Sequence, residues 1–146
     1  MASGFVVLPD GRYFSRRWTA HDVVLRAIAE AVSAVPLRHW LFDQLPRPDD
    51  EEELGYRAWG RASDNSSVRR FIDVRLMTEE NQRLFCDAVK HAATEPREEE
   101  WLARCLHDFS DMVTRMERGE PPLSKSDWVV VSPPETDRIG PGWPAI

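Results

Sequence analysis

Runs of β-formers and helical stripes alternate along this chain with clear punctuation between them. Phe5-Val6-Val7-Leu8 and Tyr13-Phe14-Ser15 flank Pro9-Asp10-Gly11-Arg12. The Asp-Gly pair supplies the positive φ that a tight turn needs, so this segment predicts a β-hairpin. A helix should follow directly, capped by Thr19 with Asp22 in the capping-box position. Its apolar stripe is Val23, Val24, Ala27, Ile28 and Ala31, which recur at helical spacing. Pro36 ends that helix and opens a second over 37–45, which buries Leu37, Trp40, Leu41 and Leu45 before Pro46 and Pro48 stop it.

Beyond an acidic turn, Leu54, Tyr56 and Ala58 alternate with polar or small neighbours, and Ile72, Val74 and Leu76 alternate with Phe71, Asp73 and Arg75. A second hairpin is expected, 54–62 paired with 68–76 across the Ser63–Ser67 loop. Thr78 should cap a third helix over 79–93, burying Leu84, Phe85, Ala88, Val89 and Ala92. Thr94 is read as the cap of a fourth, with Pro96 near its start. Glu95, Glu98, Glu99 and Glu100 suit the positive end of its dipole. That helix carries the clearest stripe in the chain: Trp101, Leu102, Cys105, Leu106, Phe109, Met112, Val113 and Met116. Gly119 should end it, and Pro121-Pro122 prevents continuation. The short link between the third and fourth helices implies antiparallel neighbours.

Trp128-Val129-Val130-Val131 reads as a last strand, and the segment 132–146 as a Pro/Gly-rich tail. The expected fold class is α+β. It comprises a single globular domain over 1–131, in which about four helices pack on a small antiparallel sheet of two hairpins plus a C-terminal strand.

Composition narrows the functional classes. At 146 residues, with 42% hydrophobic and 30% charged residues, the chain can bury a core without disulfides or metal. No apolar run reaches the roughly 18 residues of a membrane helix, and the N-terminus lacks the basic region of a signal peptide. Cys86 and Cys105, the two cysteines, read as reduced thiols, so a cytoplasmic location is expected. The excess of Arg over Lys fits a GC-rich, bacterial genome. A net charge of −6 argues against a nucleic-acid footprint, which needs a basic face.

The catalytic signatures are sparse. Gly-x-Gly-x-x-Gly, Walker and Gly-x-Ser-x-Gly patterns do not occur. Cys86 and His91 are five apart on one helix and diverge, and Cys105 lies in an apolar stripe, so no metal and no other cofactor is expected. The dipeptides His21-Asp22 and His107-Asp108 resemble the metal-binding pair of HD-type phosphohydrolases. That pattern also needs an earlier His and a later Asp, and His91 and Asp127 do not have its spacing. A phosphohydrolase-like site built on histidines and carboxylates is therefore the alternative reading, beside an accessory or regulatory domain.

Two features point instead to protein binding. Asp49, Asp50, Glu51, Glu52 and Glu53, with Glu98, Glu99 and Glu100, form acidic runs that would steer a basic protein partner. Six tryptophans are many for this length. Trp40 and Trp101 fall on apolar stripes and are expected in the core, whereas Trp59 and Trp128 are the first candidates for exposed anchors. Arg16, Arg17, Arg69, Arg70 and Arg75 could form a small basic patch or polar strand faces. In size and charge the chain is similar to small acidic inhibitors such as toxin immunity proteins and anti-CRISPR proteins. The reading is a non-catalytic binding module that masks a basic partner.

Overall fold

A computed structural model describes residues 3–45 and 71–122. The expected strands at 54–62 and 128–131, the boundary at 131, Asp49–Glu53, Trp59, Arg69, Arg70, Trp128 and the tail lie outside the described residues. The elements are β1 (Ser3–Val7), β2 (Tyr13–Arg17), α1 (Trp18–Ala31), α2 (Val35–Asp43), β3 (Phe71–Asp73), a 3-10 turn (Val74–Leu76), α3 (Glu79–Thr94) and α4 (Glu100–Glu117). A small sheet packed by helices makes the fold α+β.

The first hairpin forms as its sequence dictates. The Gly11 N–H donates to the Leu8 carbonyl at 2.8 Å, and Leu8 N–H to the Arg12 carbonyl at 2.8 Å. Gly11 adopts φ 95°, the left-handed step that closes a three-residue loop. Asp10 locks the return, accepting from the Arg12 backbone at 3.1 Å and from its Nε at 2.7 Å.

The sheet order is β2-β1-β3. β3 pairs in parallel with β1, Phe5 with Phe71 through Val7 with Asp73, so the sheet is mixed and not antiparallel. A parallel partner needs a long crossover, and local alternation around Ile72 carries no information about which distant strand it meets. The strand is also shorter than expected. Asp73 accepts from the Arg75 backbone at 3.1 Å and turns the chain into the 3-10 turn.

The apolar face of the sheet (Val6, Leu8, Phe14, Ile72) meets all four helices in one core. α1 starts at Trp18 with Arg17 in the N-cap position and no side-chain cap hydrogen bond from it, so Thr19 lies inside the helix and is not its cap residue. Its buried line is His21, Val24, Leu25 and Ile28, continued by Val32 just past its end, while Val23 is 36% exposed. His21 is admitted by Gly4, where a Cβ would overlap the imidazole. Gly4→Ala should therefore destabilise by about 1–3 kcal/mol through overpacking. An unchanged urea midpoint would show that β1 and α1 yield there freely.

α3 keeps its expected cap, with Thr78 Oγ1 accepting from Asn81 N–H at 3.2 Å. Thr94 belongs to the end of α3, donating to the His91 carbonyl at 2.7 Å, and does not cap α4. The chain then runs from Glu95 to Glu99 outside either helix, held where Arg97 Nη2 donates to the Ala92 carbonyl at 3.2 Å. α4 ends on Gly119 at φ 73°, with Gly119 N–H on Met116 O and Glu120 N–H on Arg115 O, both at 2.9 Å. That pair of bonds is a Schellman motif.

α3 and α4 are not a side-by-side antiparallel pair. In such a hairpin Lys90 would face Arg104, leaving Glu117 about 20 Å further along α4 at 1.5 Å per residue. Yet Lys90 Nζ lies 2.8 Å from Glu117 Oε1, so the helices cross. Crossing frees α4 to pack on the sheet as well as on α3. Phe109 stacks on Phe14 of β2 at 4.3 Å and meets Phe85 of α3 edge-on at 6.3 Å. Arg12, 2% exposed, ties the hairpin to the end of α4 by donating to the Glu120 carbonyl at 2.6 Å.

Candidate functional site

Among the described residues no three His, Cys, Asp or Glu side chains converge to hold a metal. His21 is buried beneath Gly4, whereas His107 and Asp108 are exposed on α4. The two His-Asp dipeptides therefore sit in different environments and supply no common site. Cys86 is buried and its thiol is pushed up to about 12, chiefly by desolvation and then by the Glu117 charge. A thiol so protonated is a packing group at neutral pH. Cys105 is half-buried.

The expected basic patch does not assemble from its described members. Arg16 pairs with Asp108 at 3.1 Å, lies 4.2 Å over the Phe14 ring and donates to the Ser15 carbonyl at 2.8 Å. Arg75 is turned inward onto Asp73, which is 0% exposed; Nη2 meets Oδ2 at 2.7 Å and Nε meets Oδ1 at 2.9 Å. Those hydrogen bonds raise the Arg75 pKa above its ordinary value. Arg17 alone of these three is exposed.

Acidic groups are left over instead. Residues 71–122 carry twelve Asp and Glu against seven Lys and Arg. Many of those carboxylates are paired: Asp73 with Arg75, Asp87 and Glu117 with Lys90, Glu95 with His91 and Arg97, Asp108 with Arg16, and Asp111 with Arg115. Glu98, Glu99 and Glu100 are exposed and pair with no cation among the described residues. Glu99 is the N-cap position of α4 and makes no side-chain cap bond, so these acids act on the helix only through its dipole.

Beside them stands Trp101, 38% exposed, which corrects its expected place in the core. The buried line of α4 is Leu102, Leu106, Phe109 and Val113. Trp101 precedes Leu102 by one residue, a rotation of about 100° away from the centre of that stripe. Cys105, four residues on, shares that flank and is half-buried. Three carboxylates that pair with no cation among the described residues, and a partly exposed indole, thus occupy consecutive positions 98–101 where α4 begins.

Such an arrangement offers long-range attraction for cations and a large apolar contact. No family model, no curated protein and no solved structure matches this chain. No helix among the described residues is long and apolar enough to cross a membrane.

Proposed function

We propose that this protein is a non-catalytic binding module that covers a basic surface on another protein, with Glu98, Glu99, Glu100 and Trp101 at the point of contact. The observation that carries this reading is the partly exposed Trp101 next to three carboxylates that no described cation neutralises. Tryptophan dominates the energetics of protein interfaces because a rigid ring buries a large area at little entropic cost, and the flanking charges select a partner of opposite sign. An indole also seats Lys or Arg over its face. Asp49, Asp50, Glu51, Glu52 and Glu53 add to the same attraction, and Trp59 and Trp128 are further anchors in this reading. Inhibition of the covered protein, as by an immunity protein, is the activity that such masking would produce in a bacterial cytoplasm.

The test is comparative capture from the host. Immobilised wild-type protein should retain a protein with a basic surface that Trp101→Ala retains at least tenfold less well, since truncating a central anchor costs about 2 kcal/mol or more. Equal retention by both proteins at matched folding would remove Trp101 from the interface.

A further inference from the structure

We draw no further inference here: the strongest candidate, the outer edge of β2 at Ser15 and Arg17, has its Ser15 carbonyl taken by the Arg16 guanidinium, and nothing in the structure shows what would cover the rest.

Discussion

Phe109→Ala should lower the stability of the domain by about 3–5 kcal/mol, the range for removing a buried aromatic ring. Phe109 is fully buried and joins three elements: its ring stacks on Phe14 at an interplanar angle of 2° and meets Phe85 at 61°. Each such ring pair adds about 0.5–1.5 kcal/mol beyond area burial. The cavity would open where β2, α3 and α4 meet, so no one helix can slide inward to fill it. Against a total stability of about 5–15 kcal/mol, the loss approaches unfolding at 37 °C. Phe109→Leu keeps most of the volume and should cost less than half as much. Urea denaturation of both variants tests this ordering. A Phe109→Ala midpoint equal to wild type would mean that α4 does not pack on the sheet through this residue.

The second large effect concerns charge. Arg75→Ala should cost about 3–5 kcal/mol, because it strips the guanidinium from a wholly buried carboxylate. Among the described residues, Asp73 would then keep the residue-75 backbone N–H as its one remaining donor. The pair itself need not stabilise much, since two ions must be desolvated to form it. Replacing both residues by apolar ones, Asp73→Val with Arg75→Met, should therefore lose far less than the two single changes added together. A double-mutant cycle measures that difference directly. A loss under about 0.5 kcal/mol for Arg75→Ala would put the pair in the class of exposed surface bridges.

The elements with local determinants could be read from the sequence. Pro9-Asp10-Gly11 specifies the hairpin loop, Thr78 specifies the start of α3, and Gly119 specifies the end of α4. Each works through a bond to a neighbour a few residues away. The failures are of three kinds. Pro96 looked like a helix start, but Arg97 anchors the 95–99 segment to the end of α3, and α4 begins only at Glu100. Asp73 alternated with apolar residues as a solvent-facing polar position should, yet it is buried with Arg75, its i+2 neighbour. β3 meets β1 across a long stretch of chain, and no local pattern encodes a parallel pairing.

The candidate site was half legible. The acids Glu98, Glu99 and Glu100 stand out as a run in the sequence, but Trp101 reads as a core residue because it borders the strongest apolar stripe in the chain. Periodicity finds the centre of a stripe well and its edges badly. One position of rotation separates a core tryptophan from a surface one, and only the packing of α4 on Phe14 and Phe85 fixes that rotation. The burial of His21 has no local signal either, since it depends on Gly4 leaving room for the ring.

The central claim, attraction of a basic partner to the start of α4, is tested most directly by association kinetics with the captured partner. Long-range attraction between exposed charges is screened over about 10 Å at 0.1 M salt, so the on-rate should fall as salt rises. Replacing Glu98, Glu99 and Glu100 together by Ser should lower the on-rate and flatten its salt dependence, while the dissociation rate stays near wild type. An on-rate indifferent both to salt and to the triple substitution would contradict the proposal.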